Sequence, residues 1–173
     1  GGKTPQVVFE DISDIDSTVD KIAAGIFVNS GQVCTSGTRL IAHHKILDGV
    51  LEKLIKIGKS KIPGPTWDSN TTLPPIVSKK QADRIDRLVA ESVDLGAKII
   101  EGGEWYETNY GGYFYKPTFI ENIDKEMPIF KEEVFGPVIN VEKFEDEQEG
   151  LEKASHPNYG LAACIHTSNL NTA

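Results

Sequence analysis

Cysteine and methionine are scarce in this 173-residue chain, which has only Cys34, Cys164 and one methionine. Two cysteines cannot form a disulfide framework, and so low a number is typical of proteins kept in a reducing compartment. We therefore expect a cytoplasmic location. The sequence also has no apolar run of the roughly 18 residues needed to span a membrane, so we expect no membrane partner.

Basic residues are outnumbered by acidic ones, with 18 Lys and Arg against 26 Asp and Glu and a net charge of −8. An acidic chain has no general electrostatic attraction to phosphate backbones or anionic lipids, which argues against a nucleic-acid partner. Hydrophobic residues make up 39% and charged residues 25% of the chain. These fractions, with the length, predict one ordinary globular domain.

The common nucleotide and metal motifs are missing. The sequence contains neither G-x-G-x-x-G nor a P-loop, and its four histidines show no metal-ligand spacing with the cysteines. His43 and His44 are adjacent in a predicted strand, so we expect their side chains to point to opposite faces. That orientation argues against a shared ligand role, and we predict no metal site.

Predicted strands and helices alternate along the chain. The strands are expected at 6–9, 39–42, 98–100, 113–120, 138–144 and 161–167. Between them, apolar residues recur at helical spacing, and Ser168 resembles the cap of one more helix. Pro117 argues for an edge or a bulge in the fourth strand. This order predicts an α/β fold, in which helices flank a mainly parallel sheet as a three-layer α-β-α sandwich.

The two cysteines lie in very different surroundings. Cys34 follows a helix end in the segment N-S-G-Q-V-C-T-S-G, where glycines allow another molecule to approach the backbone. A thiol in such a loop is a candidate nucleophile. Cys164 lies in the apolar run A-A-C-I, which is typical of an inert, buried cysteine. From the residues alone, an ordinary loop cysteine fits Cys34 as well as a catalytic one.

A second candidate segment is E-E-V-F-G-P-V at 132–138, just before a predicted strand. Loops at strand ends carry many ligand contacts in α/β proteins. A carboxylate there can accept hydrogen bonds from ribose hydroxyls, and a ring can pack on a flat heterocycle. A surface acid pair with a hydrophobic anchor explains the same residues.

Together these segments resemble the catalytic domain of the aldehyde dehydrogenase superfamily, over essentially all 173 residues. The most specific matches are the G-Q-V-C segment at 31–34 and the E-E-V-F-G-P-V segment. The other matches follow in the family's order: Gly1-Gly2-Lys3, Pro5, Phe27, Asn29, Arg39, Gly64-Pro65, the P-I-V-S segment at 75–78, Gln81, Gly102-Gly103, Pro117-Thr118, Tyr159-Gly160-Leu161 and Thr167.

The resemblance implies roles for four residues. Cys34 corresponds to the nucleophile that attacks the aldehyde carbon and forms a thiohemiacetal. Hydride then passes to NAD or NADP, which leaves a thioester on the cysteine. Water or coenzyme A releases the acyl group from that thioester. Glu133 corresponds to the carboxylate that holds the nicotinamide ribose, and Phe135 to the ring packed beside that end of the cofactor. Gln81 corresponds to a further ribose contact, although a capping box with Ser78 explains it equally well.

The resemblance also implies that 1–173 is a single catalytic domain, truncated at both ends, without the dinucleotide-binding domain and the oligomerisation tail. In the family the general-base glutamate and the oxyanion asparagine precede this segment, so we expect these residues alone to be inactive. The expected function is NAD(P)-dependent oxidation of an aldehyde substrate to a carboxylic acid, by a homo-oligomer at full length. A non-enzymatic remnant or assembly module, or a related acyl reductase, are the alternatives.

Overall fold

A computed structural model describes all residues, 1–173, and contains one six-stranded sheet. The strands are β1 Pro5–Val8, β2 Arg39–His43, β3 Lys98–Glu101, β4 Thr118–Glu121, β5 Val138–Phe144 and β6 Cys164–His166. The helices are α1 Ile15–Phe27, α2 Leu47–Lys59, α3 Lys79–Asp94, α4 Pro128–Lys131 and α5 Glu147–Ala154. The strand order is β3-β4-β5-β2-β1-β6, and only β3 with β4 is antiparallel. The mainly parallel α/β sheet is thereby confirmed.

Helices cover both faces of the sheet, because successive strand residues point to opposite sides. On one face, α1 and α2 pack over Val8, Leu40 and Ile139. On the other face, α3 and α4 pack over Ile120 and Val138, while α5 lies against β1, β2 and β5. The result is the expected three-layer sandwich. Each aliphatic side chain buried in it contributes about 1.5–3 kcal/mol.

Side-chain caps fix where the two helices nearest the candidate site begin. Asp14 accepts a hydrogen bond from the Ser17 N–H at 3.0 Å at the start of α1, and Ser78 accepts one from the Gln81 N–H at 3.3 Å at the start of α3. The other end of α1 is set by backbone conformation. Asn29 adopts left-handed φ 50°, which turns the chain out of the helix toward Cys34.

Two predicted strands are shorter in the structure. The strand expected over 113–120 begins only at Thr118, because Pro117 offers no N–H to a ladder. Tyr113 and Tyr115 form isolated bridges to loop residues. The strand is not at an edge, since β4 lies between β3 and β5, but the register of the β3–β4 pair shifts between Ile99 and Glu101, as in a bulge. The strand expected over 161–167 is reduced to Cys164–His166.

Two local expectations were wrong. His43 ends β2 and His44 lies in the turn beyond it, so the two rings lie side by side, 4.5 Å between centroids, instead of on opposite faces. Ser168 is followed by a turn and not by a helix.

None of the helices combines the length and the apolar composition that crossing a membrane requires.

Candidate active site

Cys34 lies in the loop between α1 and β2, with its side chain exposed to solvent. Ser36 holds this loop against the end of α1, where its hydroxyl donates to the carbonyls of Gly25 and Ile26 at 3.2 and 3.1 Å. These carbonyls belong to the last turn of the helix, where carbonyl groups have no hydrogen-bond partner within the helix. The loop is therefore anchored while the thiol stays accessible.

Gln32 anchors the same loop from the other side. Its buried side-chain amide donates to the carbonyls of Asn29 and Pro75, both at 3.1 Å, and its oxygen accepts from the Val77 N–H at 2.9 Å. The 75–77 segment leads directly into α3. Gln32 thus couples the Cys34 loop to the start of α3.

Cys164 is less buried than the sequence predicts. It lies on β6, an edge strand that pairs only with β1, and its side chain is half-buried. An edge strand is covered on one side only, which explains the difference. The contrast between the two cysteines is therefore one between an exposed and a partly shielded thiol.

The first two glycines bring the two candidate segments together. A Cβ built on Gly1 would overlap Oε2 of Glu133, and a Cβ on Gly2 would overlap the carbonyl oxygen of Cys34. Because consecutive Cα atoms are about 3.8 Å apart, the Cys34 backbone and the Glu133 carboxylate both lie against one dipeptide. The loops that carry them also meet directly, since a Cβ on Gly31 would overlap the carbonyl of Gly136.

The 132–135 loop buries one of its four residues. Val134 is buried against the α3 side of the core, while Glu133 and Phe135 are half-buried. Phe135 has φ 57°, a left-handed conformation that is unusual for an aromatic residue. Such strain costs about 1–3 kcal/mol and persists where the surroundings over-determine it.

Residues of α3 hold the backbone of this loop. The Gln81 amide donates to the carbonyls of Val134 and Phe135 at 2.8 and 3.0 Å, and the Arg84 guanidinium donates to those of Glu133 and Val134 at 2.6 and 3.0 Å. The capping box is half formed, because the Gln81 side chain bonds to this loop and not back to Ser78. The role of Gln81 as a ribose contact stays a prediction.

Lys3 and Tyr159 hold the loop from the opposite side. The Lys3 ammonium donates to the carbonyls of Ile129 and Glu132, both at 2.9 Å, and the Glu133 N–H donates to the Tyr159 hydroxyl at 3.2 Å. Lys3 is only 5% exposed, and burial lowers its pKa from 10.5 to about 7. Every peptide unit from Glu132 to Phe135 is therefore bonded to a side chain from elsewhere.

Sequence reasoning assigned no role to Gln32, Arg84, Lys3 or Tyr159. Arg84 follows Gln81 by three positions, which places both on one face of a helix, and that spacing was the available signal. For Lys3, the available signal was its position between a glycine pair and a buried strand, where a long cationic side chain needs a partner. Most backbone partners of these side chains come from remote segments, so no spacing predicts them.

The site suits the ribose of a nicotinamide cofactor. The Glu133 carboxylate accepts no hydrogen bond from another side chain and has no cation within 4.0 Å, so its lone pairs are available to ribose hydroxyls. Phe135 belongs to the same loop, two residues further along the chain, and is half-buried. The residues present therefore fit one end of such a cofactor.

The exposed Cys34 and the Glu133 carboxylate lie together where the parallel strands β1, β2 and β5 begin, so a thiol and a carboxylate share one end of the sheet of an α/β domain. The family model "aldehyde dehydrogenase family" matches residues 1–173. The chain belongs to the aldehyde dehydrogenase family.

Relatives of known name are similar over the whole chain. An aldehyde dehydrogenase of Davidiella tassiana is 39% identical over 173 residues, covering 100% of this chain and 34% of the relative. The chloroplastic betaine aldehyde dehydrogenase of Beta vulgaris is 40% identical over 171 residues, covering 98% and 34%. This chain spans about a third of the length of these relatives.

Solved structures agree with this assignment. The crystal structure of betaine aldehyde dehydrogenase from Staphylococcus aureus in complex with NAD+ superposes with a TM-score of 0.94 at 35% identity, covering 100% of this chain and 35% of that one. An indole-3-acetaldehyde dehydrogenase in complex with NAD+ gives 0.94 at 34% identity, again covering 100% and 35%. The fold expected from the sequence is thereby confirmed.

Proposed function

We propose that this chain carries the nucleophile of an NAD(P)-dependent aldehyde dehydrogenase, which oxidises an aldehyde to a carboxylic acid. The observation that carries the proposal is the meeting of the exposed Cys34 and the available Glu133 carboxylate at Gly1-Gly2. Family membership supports the reaction type. The cytoplasmic location and the homo-oligomeric state of the whole protein belong to the same proposal.

The chemistry begins at Cys34. Its thiolate forms a C–S bond to the aldehyde carbon, and the carbonyl oxygen takes the negative charge of a thiohemiacetal. The Cys34 backbone N–H makes no hydrogen bond within the chain, so it is free to stabilise that oxygen. Departure of hydride from the same carbon leaves a thioester on Cys34, and water then cleaves the C–S bond, releasing the acid, the thiolate and a proton.

The cofactor NAD or NADP supplies the hydride acceptor when it is bound. Glu133 would hold its nicotinamide ribose by accepting hydroxyl hydrogen bonds, and Phe135 would pack beside that end of the cofactor. Gln81 is the third proposed contact. The NAD+ complexes of the similar structures support a nicotinamide cofactor.

Trapping the acyl group tests this proposal. The protein is expressed from its whole reading frame, mixed with an aldehyde and NAD+ or NADP+, quenched in acid and mapped by mass spectrometry. We expect an acyl adduct on the Cys34 peptide that requires the oxidised nucleotide. Cys34→Ala should remove it and Cys164→Ala should leave it.

Other outcomes would contradict the proposal. An adduct on Cys164, or turnover with no adduct on Cys34, would exclude Cys34 as the nucleophile. Release of the acyl group only to coenzyme A would place the protein with the acyl reductases. The absence of both adduct and turnover over a panel of aldehydes would support a non-enzymatic remnant.

A further inference from the structure

Lys3 closes the end of the short helix that precedes Glu133. Its ammonium group donates to the Ile129 and Glu132 carbonyls, both at 2.9 Å. The last carbonyls of a helix lack intrahelical partners and carry partial negative charge, so a cation is favoured there. Asn140 of β5 donates to the same Ile129 carbonyl at 3.3 Å. These contacts tie α4 to the central strands just before the chain turns out to Glu133.

The position of Lys3 in the chain makes this contact informative. Lys3 directly follows Gly1-Gly2, the dipeptide that lies against both the Glu133 carboxylate and the Cys34 carbonyl. One short segment therefore touches the Glu133 carboxylate and, through Lys3, holds the peptide on which Glu133 is mounted. A shift of the Lys3 side chain would release the Glu132 carbonyl, which belongs to the peptide that carries Glu133.

We propose that Lys3 is a positioning residue for Glu133, which fixes the backbone before Glu133 so that its carboxylate stands ready beside the cysteine loop. This inference rests on the proposed function, because it assumes that Glu133 holds the cofactor ribose. It assigns to Lys3 no contact with substrate or cofactor. Pre-organisation of this kind lowers the free energy that must be spent on ordering the loop when the cofactor binds.

The electrostatic surroundings of Lys3 are consistent with a structural donor. Its pKa is lowered to about 7, chiefly by burial; Arg39 and Arg84 contribute to the lowering, and Glu133 and Glu142 oppose it. The neutral amine that forms above that pKa keeps two N–H donors. Both carbonyl contacts can therefore persist on either side of neutral pH.

Hydrogen exchange tests the positioning without any need for activity. In Lys3→Met we expect the amides of 130–136 to exchange about tenfold faster or more, as when hydrogen bonds to a charged donor are lost. The amides of 31–37 should change far less, since Gln32 and Ser36 hold that loop independently. Lys45→Met, an exposed lysine paired with Glu10, is the matched control.

A folded Lys3→Met with unchanged exchange at 130–136, or with equal acceleration throughout the chain, would overturn the proposal. If Lys3→Met does not fold, Lys3→Gln replaces it, because the glutamine amide keeps N–H donors on a shorter side chain. We then expect the amides of 130–136 to exchange faster than in the wild type but less than tenfold faster. Unchanged exchange at these amides would again overturn the proposal. Since exchange is read on the folded chain, these outcomes do not depend on whether the protein is an enzyme.

A double-mutant cycle separates positioning from general stability. With the protein from its whole reading frame, Lys3→Met should raise the KM for NAD+ about tenfold and change kcat less. In a Glu133→Gln background the same substitution should have little further effect on KM, because the group being positioned is gone. Equal effects in both backgrounds would show that Lys3 acts elsewhere. If the wild-type protein shows no turnover while Lys3→Met still shows the localised change in hydrogen exchange, the proposed function is refuted. The positioning of the loop by Lys3 then still holds.

Discussion

At the scale of single residues, the two thiols differ in access and in what surrounds them. Cys34 is exposed on a loop anchored at Gln32 and Ser36, whereas Cys164 is half-buried on β6. Since reactivity follows access and thiolate fraction, we expect limiting iodoacetamide to label Cys34 first in the folded chain. Mass-spectrometric mapping with time checks this. Preferential labelling of Cys164 would contradict it, and Cys34→Ala should remove the fast phase.

Lys3 gives a second prediction at this scale, in the dependence of stability on pH. Its folded pKa of about 7 lies below its ordinary 10.5, so between these values the unfolded chain binds more protons than the folded one. The free energy of unfolding should therefore rise with pH in this window, by up to about 1.4 kcal/mol per pH unit. Urea unfolding at pH 7.5 and 9 should show the rise in the wild type and in Lys45→Met. Lys3→Met should lack it, and an equal rise in that variant would contradict the assignment.

At the scale of elements, caps and apolar spacing were sufficient to predict the four longer helices and the central strands, but not the one-turn helix α4. The β5 prediction, 138–144, agrees with the structure at both ends, because the Gly-Pro turn before it and the acidic helix start after it leave little choice of limits. The strand at 113–120 was overextended, since composition favoured it while Pro117 could not join the ladder. Aromatic composition alone does not show which residues find a backbone partner.

The candidate site was only partly predictable for the same reason. Cys34 and Glu133 carry recognisable local patterns. The side chains of Gln81, Lys3 and Gln32 instead bond to backbone groups of remote segments, and those groups become neighbours only when the sheet forms. Local sequence therefore indicated the candidate cysteine and carboxylate and missed the residues that hold their loops.

Gln32 supplies the prediction at this scale, because one side chain couples two elements. Gln32→Ala would leave the Val77 N–H and the Pro75 carbonyl without their side-chain partner, and it would remove the buried Gln32 amide. We expect a loss of roughly 1–3 kcal/mol in the free energy of unfolding, with faster alkylation of Cys34. Gln148→Ala, which removes only an exposed contact to Glu152, should change unfolding by less than about 0.5 kcal/mol. Equal effects of the two variants in urea unfolding would contradict the coupling.

At the scale of the whole molecule, apolar surface gathers where the sheet ends at β6. Leu151, Leu161 and Ile165 are 51%, 54% and 45% exposed, and they line a groove of about 620 Å³ beside Val7 and Phe9. Exposed apolar patches with an open strand edge favour association.

We therefore expect the 173-residue chain to self-associate in sedimentation velocity as concentration rises. Ile165→Lys should shift it toward monomer, because a charge then lies in the groove. Leu170→Lys makes the same kind of change at an exposed leucine outside the groove, and it should leave association intact. A monodisperse wild-type monomer at every concentration would contradict this prediction.

The central claim is that Cys34 performs the chemistry, and turnover by matched cysteine variants tests it most directly. The protein from its whole reading frame is assayed for NADH or NADPH formation at about 340 nm with a panel of aldehydes, as expected for hydride transfer to a nicotinamide. We predict turnover in the wild type and in Cys164→Ala, and a loss of about 10³-fold or more in Cys34→Ala, as when a covalent nucleophile is removed. Wild-type rates in Cys34→Ala would contradict the account.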